Sequence, residues 1–132
     1  MTRDFLNPAG LSSPVGYTHI VTATSGKQLF ISGQVALDAE GRLVGRGDLS
    51  AQTRQVCENL KTALAAAGGS LADIVKITTY VVNYQPDDRT VIAEVRNQYF
   101  AGTNPPASTL VGVQSLAREV FLIEIEAIAV VA

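Results

Sequence analysis

Every odd position from Phe121 to Val131 is apolar, whereas the even positions read Leu122, Glu124, Glu126, Ile128 and Val130. A period of two is that of a pleated strand, so the odd set makes a core face. The even set places two carboxylates about 7 Å apart among large apolar neighbours. A strand apolar on both sides lies between layers or under another subunit, and a carboxylate there must be hydrogen-bonded, paired or proton-tuned. Glu124 and Glu126 are therefore the first candidates for a site.

The same reading predicts the other elements. Asn7 to Tyr17 holds two prolines and two glycines and reads as an ordered loop, a lid or lip. Tyr17 to Ala23 and Gln28 to Ser32, separated by Thr24-Ser25-Gly26-Lys27, predict a hairpin. Asp48 or Ser50 caps a helix with Val56, Leu60, Ala63, Leu64 and Ala67 on one stripe, closed by Gly68-Gly69. Ile74 to Val82 is a β-branched strand with Val75, Ile77, Thr79 and Val81 on one face. Asp87 or Asp88 then caps a second helix, with Val91, Ile92, Val95 and Tyr99 inward and Gly102 at its end. Pro105-Pro106 forces an extended entry to a strand over Ser108 to Val113. The order is β-β-α-β-α-β-β, an α+β domain spanning residues 1–132, with both helices on one face of a mixed sheet. The other face needs cover, and its apolar positions predict self-association.

Composition narrows the chemistry. Ten basic and twelve acidic residues give a formal charge of −2, with the basic ones scattered. That is no electrostatic footprint for nucleic acid. The start, MTRDFLNPAG, lacks the apolar run of a signal peptide, and no stretch is long enough to cross a bilayer, so the expectation is a cytoplasmic protein with no membrane partner. One cysteine excludes an internal disulfide and a Cys-based zinc cluster. One histidine excludes a histidine-rich metal site within a subunit. Cys57, on a helix with no flanking base, reads as an apolar filler. Gly45-Arg46-Gly47 lacks the strand-to-helix glycine spacing of a dinucleotide site.

Taken in order, Gly16-Tyr17, Ile31-Ser32-Gly33-Gln34, Asn59-Leu60, Val75-Lys76-Ile77-Thr78, Pro106-Ala107 and Ile123-Glu124-Ile125-Glu126-Ala127 make the chain resemble the RidA/YjgF reactive-intermediate deaminase family nearly end to end. The resemblance implies a chorismate-mutase-like fold and a homotrimer with three clefts between subunits. It also implies hydrolysis of enamines and imines such as 2-iminobutanoate and 2-iminopropanoate to a carbonyl compound and ammonia, without a cofactor. By the same resemblance Tyr17 is the cleft tyrosine, Ser32 the strand-end serine and Glu124 the carboxylate that positions or activates water.

Gly33 lets a ligand approach the backbone, and Ser108 and Thr109 offer hydroxyl donors to it. The resemblance also marks a departure. Where the family carries a carboxylate-clamping arginine after Pro-Ala, this chain has Ser108. Leu110 stands at the place of a frequent cysteine, and Ala93 at that of an asparagine. Arg3, Arg89, Arg96 and Arg118 are the candidate substitutes for the clamp. The alternative expectation is a trimer that binds or senses a small ligand without turnover. His19, two residues after Tyr17, shares its side of a strand, as a partner of the tyrosine or as a residue at a subunit seam.

Overall fold

The computed structural model describes residues 1–102 and 104–132. Its strands are β1 (Arg3–Leu6), β2 (Ile20–Ala23), β3 (Lys27–Gln34), β4 (Ile74–Val82), β5 (Ala107–Val113) and β6 (Ile123–Val131), with helices α1 (Leu49–Ala66) and α2 (Pro86–Phe100). A four-stranded sheet runs in the order β3-β6-β4-β5, and β1 and β2 form a separate two-stranded ribbon. β4 and β5 are parallel, which requires the crossover that α2 supplies; the other pairings in the sheet are antiparallel. The α+β layering and the succession of elements from β2 onward agree with the sequence pattern.

Both helices begin and end where side-chain chemistry directs. The Asp48 carboxylate accepts from the Ala51 amide at 3.0 Å. At the other end Gly68, at φ +80°, lets its own amide reach the Ala65 carbonyl and the Gly69 amide reach that of Leu64, the two bonds of a Schellman stop. α2 starts two residues earlier than its aspartates suggest. Gln85 is the cap and Pro86 the first helical residue, where its fixed φ fits and its missing N–H costs nothing. Asp88 acts from the third position, accepting from the Gln85 amide at 2.8 Å.

Two features depart from the sequence pattern. The hairpin between Tyr17–Ala23 and Gln28–Ser32 does not form. β2 pairs instead with β1, a four-residue strand too short to announce itself, and β3 pairs with β6. The ribbon is fastened to the sheet by Arg3, whose guanidinium donates to the Val130 carbonyl at 2.6 Å and to Asp73 at 3.3 Å. On β4 a register shift between Ile74 and Lys76 moves Ile74 rather than Val75 into the row with Ile77, Thr79 and Val81. The even face of β6 is only partly covered within the chain, with Val130 buried and Glu126 exposed.

The core lies between the helices and the odd face of β6. Val56, Leu60 and Leu64 of α1 and Ile92 of α2 pack on Ile77 and Val81 of β4 and on Ile123, Ile125, Ala127 and Ala129 of β6. Gln52 sits fully buried in this layer. Its amide donates to the carbonyls of Gly45 and Val120 and accepts from the Leu122 amide, fixing the entry to β6 against α1. The opposite side of the sheet is open: Phe30 is 74 % exposed there, beside Thr78, Tyr80, Glu126 and Ile128.

Candidate functional site

The alternation of β6 places Glu124 on the open side, where the chain at Gly33 comes close to its carboxylate. A β-carbon at Gly33 would overlap Oε2, Cδ and Cγ of Glu124, so glycine is what admits this side chain. The register of β3 against β6 shifts between Ile31 and Gln34, so Ser32 and Gly33 lie in an irregular stretch of the ladder. The loop after it is held by Asn59, whose amide donates to the carbonyls of Val35 and Leu37 at 2.9 and 3.0 Å. Burial raises the Glu124 carboxyl above the ordinary carboxylate range, and the charge of Glu126 adds to the effect.

Glu126 is exposed in the isolated chain and accepts a 2.5 Å hydrogen bond from the Tyr80 hydroxyl. That bond is the chief reason the phenol is harder to ionise than usual. Glu126, Ser32, Lys76 and Thr78 border a depression of about 390 Å³ on this face. Thr109 points the same way and accepts from the Lys76 ammonium at 2.7 Å.

Tyr17 and Ser108 lie elsewhere. Ser108 pairs with Ile77 across the parallel ladder and therefore faces the helix side of the sheet. With Tyr17, the start of β5 and one face of α2 it lines a cavity of about 690 Å³. The lip carrying Tyr17 is held by main-chain contacts: the Thr18 amide and hydroxyl donate to the carbonyls of Pro106 and Pro105. His19 proves to be a brace for this lip. Its Nε2 lies 2.7 Å from the Ser12 carbonyl, its amide donates to Asn7, and its ring meets that of Tyr17 edge-on at 5.2 Å.

One chain thus holds the predicted residues in two groups, Glu124, Ser32, Gly33 and Thr109 on the open side and Tyr17 and Ser108 on the helix side. The four arginines also separate. Arg3 is committed to Asp73 and the Val130 carbonyl, and Arg118 lies over the Phe121 ring at 5.0 Å. Arg89 and Arg96 line the cavity with Ser108. Sequence reasoning did not single out Lys76 or Tyr80; across the ladder Tyr80 lies opposite Glu124 and Lys76 opposite Ile128, a pairing that alternation along β4 does not declare. Cys57 is fully buried, and burial pushes its thiol up to about 11.

The family model described as Endoribonuclease L-PSP matches residues 9–131. The chain belongs to the Rid (RidA/YjgF) family. A RutC family protein of Pyrococcus horikoshii is 44% identical over 117 residues, 88% of each chain. The crystal structure of the Rid family protein YyfB from Yersinia pestis, itself of unknown function, matches with a TM-score of 0.94 at 44% identity, covering 99% of this chain and 100% of that one. Escherichia coli TdcF, solved with bound serine, matches with a TM-score of 0.72 at 33% identity, over 83% of this chain and 85% of that one. Membership accounts for the two helices on a mixed sheet. Among the described residues no helix is long and apolar enough to cross a membrane.

Proposed function

We propose that this Rid protein is a homotrimer whose intersubunit clefts bind a small amino-acid-derived metabolite and hydrolyse its imine form to a carbonyl compound and ammonia. The observation that carries the reading is the Glu124 carboxyl, half-buried against Gly33 and held by burial toward its protonated form. A carboxyl whose pKa is raised is, once ionised, a stronger base than a solvated carboxylate. Tyr17 and Ser108 belong to the opposite side of the sheet, so the cleft joins Glu124, Ser32, Gly33 and Thr109 of one chain with Tyr17 and Ser108 of the next. The uncovered face bearing Phe30 supports association with a second copy.

In the reaction, Glu124 takes a proton from water as the oxygen adds to the imine carbon. The resulting carbinolamine carries one new C–O bond. Glu124 returns that proton to nitrogen, giving the neutral carbinolamine; it then takes the hydroxyl proton as the C=O bond forms and passes it to nitrogen as the C–N bond breaks, releasing ammonia and leaving the carbonyl. Backbone donors at Gly33 and the hydroxyls of Ser32 and Tyr17 hold the polar groups of the substrate in place. The serine bound to TdcF is a molecule of the proposed ligand's size and charge pattern.

The test is competition with semicarbazide, which traps freshly generated 2-iminobutanoate before it hydrolyses. The protein is expected to lower semicarbazone yield, and Glu124→Gln to abolish the effect. No effect from the wild-type protein, with imines of amino acids or of carboxylate-free amines, overturns the deaminase reading. Ser108 at the place of the family's arginine favours a second reading, a binding or sensing trimer without turnover. Ligand-dependent melting without imine hydrolysis supports it, and hydrolysis gained by Ser108→Arg would mark an otherwise intact site.

A further inference from the structure

The cavity between α2, β5 and the Tyr17 lip has two unlike ends. Arg89, Ala93 and Gly102 line it from the exposed side, whereas Ile92 and Pro106 line it from the buried interior. Ser108 and Leu110 alternate on β5 and both border the cavity, about 7 Å apart at two residues' rise. Across the ladder they pair with Ile77 and Thr79 of β4, which are buried on the helix side of the sheet. Leu110 and Phe100 also pack against the hydrophobic core, so with Ile92 they give the cavity an apolar floor continuous with that core. Ala93 is one helical turn from both Arg89 and Arg96 and has no atom beyond its β-carbon, which leaves the space between those two long side chains open.

We propose that this floor selects the substrate: the cleft takes imines with an unbranched apolar side chain, which lies over Leu110, Ile92 and Phe100 while the reacting carbon stays at the mouth. Leu110 and Ala93 are the specificity-determining residues, one by supplying apolar surface and the other by leaving room above it. The inference rests on the metabolite-cleft reading for the place of reaction, since Glu124 of the next chain enters at the mouth beside the hydroxyls of Tyr17 and Ser108. Part of the 690 Å³ is the opening into which that chain reaches, so the floor rather than the whole volume sets the fit. A cavity with polar groups at one end and an apolar wall at the other orients a ligand built the same way. Water over an apolar floor is released when an alkyl chain replaces it, and each methylene so buried tightens binding roughly threefold to fourfold. A methyl or ethyl side chain leaves much of the floor wet, so the smallest imines are the poorer fits.

The experiment is calorimetric titration of the assembled protein with 2-oxobutanoate and 2-oxohexanoate, which are not imines and bind without being hydrolysed. Both carry the same carboxylate and carbonyl, so the ratio of their affinities reports the side chain alone. The wild-type protein is expected to bind 2-oxohexanoate about tenfold more tightly, for two further buried methylenes. Ala93→Leu fills the cavity from an exposed helical position that accepts leucine, and should bring the ratio close to one. Leu110→Ser, which removes apolar floor, should lower it about threefold or more. Arg46→Gln, at an exposed arginine away from the cavity, should leave the ratio at its wild-type value. Should Leu110→Ser fail to fold, Ala93→Leu carries the test. Equal affinity for the two acids, a ratio that Ala93→Leu leaves unchanged, or failure of both acids to bind overturns the proposal. Because binding is read without turnover, length-dependent binding with no imine hydrolysis sinks only the deaminase reading, and hydrolysis with length-independent binding sinks only this one.

Discussion

Replacing Gln52 by leucine keeps nearly the same volume while removing three hydrogen bonds at once. The carbonyls of Gly45 and Val120 and the amide of Leu122 then lose the partners that now lie at 3.1, 2.9 and 2.9 Å. A buried polar group left unpaired costs ~1–3 kcal/mol, and the lower end applies because these three residues are only half-buried and water reaches them in part. The sum is about 3 kcal/mol, a large fraction of the stability of a domain this size. With a urea dependence of roughly 1.5 kcal/mol/M, the unfolding midpoint should drop by about 2 M with an unchanged slope. The assay is urea unfolding followed by far-UV circular dichroism at one fixed protomer concentration, since association shifts the apparent midpoint. A drop below about 0.5 M, equivalent to under ~1 kcal/mol, would refute the argument that Gln52 ties α1 to the entry of β6.

Three further outcomes follow from single groups. Thr79 is fully buried with its hydroxyl unpartnered, so Thr79→Val should stabilise the protein by about 1 kcal/mol in the same denaturation assay. Because the folded Glu124 carboxyl has its pKa raised above the unfolded value, its favourable contribution is complete below the unfolded pKa and is lost as pH rises through the folded one. Glu124→Gln should therefore be more stable than wild type at neutral pH, with the difference in melting temperature shrinking toward pH 4. Cys57, with a thiol held up near about 11, should resist an aromatic disulfide reagent in the native protein at mildly alkaline pH and react fully once unfolded.

What the sequence revealed and what it hid have separate physical origins. α1, β4, β5 and β6 follow from strict periodicity with capping or β-branched residues at their ends, signals that local chain chemistry determines. Strand partnership is another matter. The turn Thr24–Lys27 suits a hairpin, but β2 lies with β1 because Arg3 fastens the short ribbon to Asp73 and the end of β6, seventy and more residues away. The bulge at the start of β4 is equally silent, since Ile74 and Val75 are interchangeable by pattern. At the site, the doubly apolar pattern of β6 pointed to Glu124, and the Ser32-Gly33 stretch to its neighbour. That Arg89 and Arg96 rather than Arg3 or Arg118 line the cavity with Ser108 depends on how α2 is rotated over β5, which no arginine spacing declares. Gln52 gave no warning because a glutamine on a helix stripe usually faces water.

The proposed cleft is built from two chains, with Glu124 contributed by one and Tyr17 by its neighbour. Subunit complementation tests it most directly: Glu124→Gln and Tyr17→Phe proteins, each inactive alone, are unfolded together in equal amounts, refolded and assayed for imine hydrolysis. Random mixing leaves about one cleft in four with both native groups, since each chain at an interface is drawn independently from an equal mixture. Roughly a quarter of the wild-type rate is expected on that arithmetic. A refolded mixture as inactive as its parents would contradict it.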